Sequence, residues 1–248
     1  MPESGRRWSL TAGLGKAGAI FVLVAVFLAL NSLPTGYFAV YPGPVRSLQG
    51  VVTVDGKPAP RTSFYMVAVA AKEAGPYELL RAAVDPGIGV WSKREVYGDM
   101  TPEQYAAESK ALMEKSQNTA AYLAFRASGF DVAPGEPPPL GFTVRSGEVL
   151  GPSAGLAFAL EMVSSLTGKD LAGGRKIAAT GVLDSEGRVA AVGGIAQKAI
   201  ACREDRIDVF IVPAEDAPEA SRNAGAMKVV GVRTLEEALG FLGGGDIP

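Results

Sequence analysis

The sequence predicts a mixed α/β (α+β) fold behind one N-terminal apolar helix. Three observations lead there. From Val51 onward, short β-branched runs alternate with longer amphipathic stretches of helical period. One pair of runs, Lys176 to Leu183 and Arg188 to Val192, is separated only by Asp184-Ser185-Glu186-Gly187, the signature of an antiparallel hairpin. Ala17 to Leu30 is uninterrupted apolar sequence.

The N-terminal run, extended by Asn31, Ser32 and Leu33 and ended by Pro34, offers a span of about 20 residues, the length a bilayer core requires. Arg6, Arg7 and Lys16 precede it, and no charge follows until Arg46. The positive-inside bias places residues 1–40 as a cytoplasmic N-terminus and single-pass transmembrane anchor, with the remainder extracytoplasmic. A cleaved signal peptide is the competing reading, but no small-x-small site follows the run.

Tyr41-Pro42-Gly43-Pro44 reads as a linker or turn. Val51 to Val54 and Ser63 to Ala70 read as strands, and Pro76 to Val84 as a short helix. Thr101-Pro102-Glu103-Gln104 opens a long helix with a capping box and a proline at its first position; Gly129 stops it. Residues 41–130 thus form an N-terminal extracytoplasmic segment, and the Pro-rich stretch 131–140 a linker. In 141–248 the expected order is strand Phe142 to Val144, helix Pro152 to Leu166, the hairpin, helix Ile195 to Arg203, strand Val209 to Val212, helix Ala217 to Asn223, strand Val229 to Val232 and a last helix capped by Thr234.

Composition removes several function classes. A net charge of −2 over 248 residues does not suggest nucleic acid. With no histidine and one cysteine, the usual zinc sites are excluded and no disulfide can form within the chain. Cys202, inside an apolar helical pattern, reads as a packing residue. No Gly-x4-Gly-Lys-Ser/Thr stretch occurs, so neither nucleotide, cofactor nor metal is expected.

Gly151-Pro152-Ser153-Ala154-Gly155 places a serine in a Gly-x-Ser-x-Gly frame at a helix start. At this composition chance yields about 0.2 such matches, so the frame alone is weak and Ser153 could be a cap. The first turn of a helix leaves backbone N–H groups unpaired, the donors an oxyanion hole requires. A Ser-His-Asp arrangement is impossible without histidine, which leaves a lysine, a carboxylate or the amino terminus as the base; a lysine would have to be neutral near pH 7. Lys198 fits, one turn into the helix opened by Gly193-Gly194 and among apolar or small neighbours, although spacing alone would suit a snorkelling lysine. Lys169 and Lys176 sit in polar, glycine-flanked stretches and rank lower.

Several ordered blocks carry a resemblance. Gly151-Pro152-Ser153-Ala154-Gly155-Leu156, Ala179-Thr180-Gly181, Gly187-Arg188-Val189 and Val192-Gly193-Gly194-Ile195-Ala196-Gln197-Lys198 resemble the proteolytic domain of Lon, over about Phe142 to Val232. The resemblance implies Ser153 as nucleophile and Lys198 as general base, with Thr180 orienting the lysine. Gly151, Ala154, Gly193 and Gly194 are the supporting residues around them. The apolar N-terminus and Leu112-Met113-Glu114-Lys115-Ser116-Gln117 narrow the resemblance to membrane-anchored, ATP-independent Lon-like proteases of bacteria. Those commonly carry a PDZ domain before the protease domain; here only Asp131 to about Leu140 fills that space. Lon also usually has an acidic residue where this chain has Leu150.

The expected function is therefore a Ser-Lys endopeptidase acting on extracytoplasmic proteins or peptides, in a homo-oligomer for which the resemblance suggests a ring such as a hexamer. The alternatives are a catalytically silent scaffold or peptide-binding module of the cell envelope, or a serine-lysine hydrolase of signal-peptidase or amidase type.

Overall fold

The computed structural model describes residues 8–55, 57–58, 64–133, 139–144 and 151–243, with backbone alone at 8–17 and 57–58. Helix α1 (Trp8–Asn31) leads into strands β1 (Tyr37–Ser47), β2 (Val52–Val54), β3 (Lys57–Pro58) and β4 (Phe64–Glu73). Helix α2 (Pro76–Val84), strand β5 (Gly89–Ser92), helix α3 (Lys93–Tyr97) and the long helix α4 (Pro102–Ala127) follow. Strand β6 (Phe142–Val144) precedes a 3-10 turn at Pro152–Ala154 and helix α5 (Gly155–Thr167). The chain continues through β7 (Ile177–Ala179), β8 (Val182–Leu183), β9 (Val189–Ala190), α6 (Ile195–Glu204), β10 (Val209–Pro213), α7 (Ala217–Asn223), β11 (Lys228–Val232) and α8 (Leu235–Phe241).

The architecture is mixed α/β. Six strands form one sheet in the order β11-β10-β7-β4-β1-β5. Strands β11, β10, β7 and β4 run parallel to one another, while β1 pairs antiparallel with both β4 and β5. Three of the six strands thus come from residues 37–92 and three from 177–232, joined at the β4–β7 ladder, where Tyr65 faces Ala178. Strand β6 lies in a separate small sheet with β2 and β3.

Period-two alternation sorts the side chains onto two faces. Phe64, Met66, Ile177, Ala179, Val209 and Ile211 pack against α4, α5 and α8 in one core. Tyr65, Val67, Ala178, Phe210 and Val212 pack with α6 and α7 on the other face. The helix-terminal chemistry is as expected. Thr101 and Gln104 close a capping box on α4, Thr234 Oγ1 accepts the N–H of Glu237 on α8, and Gly168 ends α5 in the left-handed region.

Three expectations are corrected. Tyr41–Pro44 is no linker but the middle of the eleven-residue β1, where Pro42 and Pro44 are tolerated because the register shifts between Pro42 and Val45. The single strand expected over Lys176 to Leu183 breaks at Thr180 and Gly181; only β8 and β9 make the hairpin, whose turn Asp184 holds by accepting the N–H groups of Glu186 and Arg188. Strand β5 and helix α3, capped by Ser92 and Glu95, have no counterpart in the sequence reading. Most of the Pro-rich linker, and Leu150, lie outside the described residues.

The expected anchor falls on α1, whose side chains before Gly18 lie outside the described residues. Ile20, Phe21 and Leu23 are 62, 74 and 69% exposed. Among the described residues no helix is long and apolar enough to cross a membrane.

Helix α4 offers a direct check of the core. Phe125 is fully buried and Leu112 is 41% exposed on the same helix. Phe125→Ala is expected to lower the unfolding free energy by about 3–5 kcal/mol in denaturant melts, and Leu112→Ala by less than about 1 kcal/mol.

Candidate active site

Ser153 lies half-buried in the 3-10 turn that opens α5, at the C-terminal end of β7. Its carbonyl accepts two hydrogen bonds from the residues where β7 breaks, the N–H of Gly181 at 2.8 Å and Thr180 Oγ1 at 3.0 Å. The N–H of Leu156 returns a bond to the Gly181 carbonyl at 3.2 Å. At the break in the strand Thr180 keeps its backbone N–H on the Ile211 carbonyl of β10 at 3.0 Å, while its hydroxyl and the Gly181 N–H clasp the serine turn. Gly151, at φ +95, turns the chain into it, and Ala154 follows Ser153 as the residue capping α5.

Lys198 sits one turn into α6, its N–H bonded to the Gly194 carbonyl at 2.9 Å. Its side chain is 3% exposed. Nζ donates to Thr180 Oγ1 at 3.2 Å, and that hydroxyl in turn donates to the Ser153 carbonyl. Among the hydrogen bonds of the described residues there is none directly between Lys198 Nζ and Ser153 Oγ; the connection runs through Thr180. Burial pushes the Lys198 amine down to about 8, against an upward pull from the Asp216 carboxylate. Cys202 itself is buried and its thiol is pushed up by burial, which keeps it protonated.

The structure brings together Ser153, Thr180 and Lys198, with Gly151, Ala154, Gly193 and Gly194 on the turns that position them. It also adds residues that the sequence reading did not select. Ser116, buried on α4, donates from Oγ to the Pro152 carbonyl at 2.9 Å. A Cβ on Gly155 would stand 2.7 Å from that Oγ, so α4 approaches the turn as closely as a glycine permits. Trp91 of β5 and Val69 of β4 close over the start of α6. At Gly194, with φ +69, a Cβ would meet Val69 Cγ1 at 2.6 Å and the Trp91 ring at 3.4 Å. Asp216 Oδ2 accepts the N–H of Val192 at 3.0 Å, tying the Val192–Gly194 turn to α7. The resemblance block around Ser116 was legible in the sequence, but nothing local marked its hydroxyl as a partner of Pro152, 36 positions away. Lys169 and Lys176 lie away from this cluster, with the Lys176 N–H held by Asp208.

The lowered lysine sets a signed expectation. Between pH about 8 and its ordinary value of 10.5, the unfolded chain binds the Lys198 proton and the folded chain has released it, so stability rises with pH across that window. Titration of the lysine side chains by NMR should show one midpoint near pH 8. Asp216→Asn keeps an oxygen for Val192 but removes the charge, and should move that midpoint lower; an unchanged midpoint would show that the carboxylate does not act on Lys198.

Comparisons with known proteins cover the same part of the chain. Residues 144–240 match the family described as the Lon protease (S16) C-terminal proteolytic domain. The chain is 31% identical over 160 residues to a Lon protease of Methanosarcina barkeri, covering 62% of this chain and 18% of that protein. It is 32% identical over 148 residues to a Lon protease of Azorhizobium caulinodans, covering 52% and 16%. A Lon protease of Aster yellows witches'-broom phytoplasma is 37% identical over 79 residues, covering 29% and 10%. The chain thus spans less than a fifth of the length of these relatives. Residues 144–240 are thus similar to the Lon protease (S16) proteolytic domain, and the preceding residues 37–127 supply three further strands of the sheet and the helix that buttresses the serine turn.

Proposed function

We propose that this chain is an ATP-independent, membrane-anchored serine endopeptidase that cleaves extracytoplasmic proteins or peptides with a Ser153–Lys198 dyad. The observation that carries the reading is the buried Lys198 amine, held down near neutrality and tied through Thr180 to the backbone of Ser153.

In this mechanism the neutral Lys198 amine takes the Ser153 hydroxyl proton as Oγ attacks the substrate carbonyl carbon. The oxyanion is held by backbone N–H groups of the 3-10 turn, those of Ser153 and Ala154, since Pro152 has none. Collapse of the tetrahedral intermediate breaks the C–N bond, and the Lys198 ammonium gives its proton to the leaving amine. Water, deprotonated by Lys198, then hydrolyses the acyl-enzyme. Thr180 accepts from Lys198 and donates to Ser153, so it fixes the amine without competing for the serine proton.

Within these 248 residues there is no P-loop, which supports action without ATP on exposed loops, unfolded segments or peptides. The apolar, exposed residues of α1 behind Arg6, Arg7 and Lys16 support a single-pass anchor with the N-terminus in the cytoplasm. The resemblance to Lon supports a ring homo-oligomer, with a hexamer as the form to test. The rival reading, a catalytically silent scaffold, is favoured by one observation, the lack of a direct Ser153–Lys198 bond; rotation of the serine side chain on substrate binding removes that objection.

Labelling with a serine-directed covalent inhibitor, read by intact mass, separates the two. A single adduct on the wild type, absent from Ser153→Ala and Lys198→Ala, is the expected result; a folded protein that takes no adduct favours the scaffold. Peptidase activity should rise with pH through about 8 and fall by at least about 10⁴ in Ser153→Ala with circular dichroism unchanged. Lys198→Met should be equally inactive yet raise Tm at pH 7, because it removes a buried charge while Thr180 Oγ1 keeps its bond to the Ser153 carbonyl. Ser116→Ala should lower kcat by about tenfold with little change in KM, because it loosens the Pro152 carbonyl rather than a substrate contact.

A further inference from the structure

Helix α2 is apolar on two faces and packed on one. Leu79 and Ala82 pack onto the small core of Ala39, Ala74 and Ile88. On the opposite side Tyr77, Leu80 and Val84, spaced i, i+3 and i+7, form a stripe 45, 67 and 80% exposed. Two local features explain why α2 forms: a proline at its first position and a Glu78 side chain that accepts the Gly75 N–H. None of this explains an outward apolar stripe.

The stripe begins where α1 ends. Asn31 Oδ1 accepts the N–H of Tyr77 at 3.2 Å, and the Phe27 ring meets the Tyr77 ring edge to face at a centroid distance of 5.7 Å. The exposed apolar surface of α1 therefore continues without a gap into that of α2, and one environment covers both. Arg81 and Asp85 pair beside the stripe, and Lys72 pairs with Glu78. Apolar residues flanked by paired charges, led by a tyrosine, suit the boundary between lipid chains and headgroups. A second copy of the chain suits the stripe less well. Three side chains on a nine-residue helix fall far short of the roughly 800 Å² per partner of a stable interface.

We infer that α2 is a second membrane contact, an interfacial helix that lays Tyr77, Leu80 and Val84 into the bilayer surface beside the exit of α1. This rests on the anchor reading given above. The contact also bears on the site: the loop after α2 packs on α6, with Gln197 Nε2 donating to the Gly87 carbonyl at 3.5 Å, so docking α2 fixes the helix that carries Lys198 relative to the bilayer.

The test uses the full chain reconstituted in phosphatidylcholine–phosphatidylglycerol vesicles. An environment-sensitive dye is placed at Leu80→Cys, Val24→Cys or Ser185→Cys, with the wild type, whose Cys202 is buried, as the labelling blank. Quenching is read with lipids carrying a nitroxide at the headgroup or deep in the acyl chain. The dye at position 80 should be quenched by the headgroup nitroxide at least twofold more than the dye at 185. Quenching at 80 no greater than at 185 overturns the inference, including a blue-shifted but unquenched dye, which would mean protein cover such as a second copy. The dye at position 24 tells which reading failed. Deep quenching at 24 without quenching at 80 removes only the α2 contact, whereas no quenching at either removes the anchor as well.

Discussion

One constraint organises this molecule: an amine has to be kept almost entirely from water while staying bonded to a neutral hydroxyl. Lys198 meets it at 3% exposure, with Thr180 Oγ1 as its hydrogen-bond partner. An unpaired ammonium in such a place is costly, so the group yields its proton more readily than a solvated lysine does. Everything around it serves that enclosure. Ile195 and Ala199 of α6 bury its helix on the sheet, and Val69 and Trp91 close over the Gly193–Gly194 turn from the far strands. Asp216 works against the trend, pulling the amine part of the way back up.

The second requirement is a rigid serine turn, and it is met from two sides. β7 stops at Ala179 so that Thr180 and Gly181 can face the Ser153 carbonyl. α4 reaches the same turn from the other side, Ser116 against Pro152, through the close approach at Gly155. With both carbonyls engaged, the backbone of the turn is held from two sides. The enclosure and the turn are thus one construction, because Thr180 belongs to both.

That construction crosses the chain. The residues that match the Lon proteolytic family begin at 144, yet β4 and β1 continue the sheet beyond β7, and α4 packs along α5. The earlier residues therefore act as walls and buttress of the site. They also lead back to α1, through the Phe27–Tyr77 contact, so the surface outside the protease core and the site inside it are linked by a short path of packed elements.

Local chemistry determined much of this from sequence alone. The bounds of α2 and the start of α4 follow from proline positions and a capping box, interactions within four residues, and the β8–β9 turn follows from Asp184 and Gly187. The absence of histidine removed a Ser-His-Asp arrangement, and ordered motif blocks drew attention to Ser153, Thr180 and Lys198, which the fold brings to one place. Tertiary structure decided what depends on distant residues. It turned Tyr41–Pro44 into strand, since a ladder partner and a bulge outweigh the local preference of proline. It ended β7 at Ala179, where the Gly181 N–H turns to the Ser153 carbonyl while the Thr180 N–H stays on Ile211 of β10. It brought Ser116, Trp91 and Asp216 to the site and set the burial of Lys198. Burial and long-range contact are properties of the packed chain, and no window of sequence contains them.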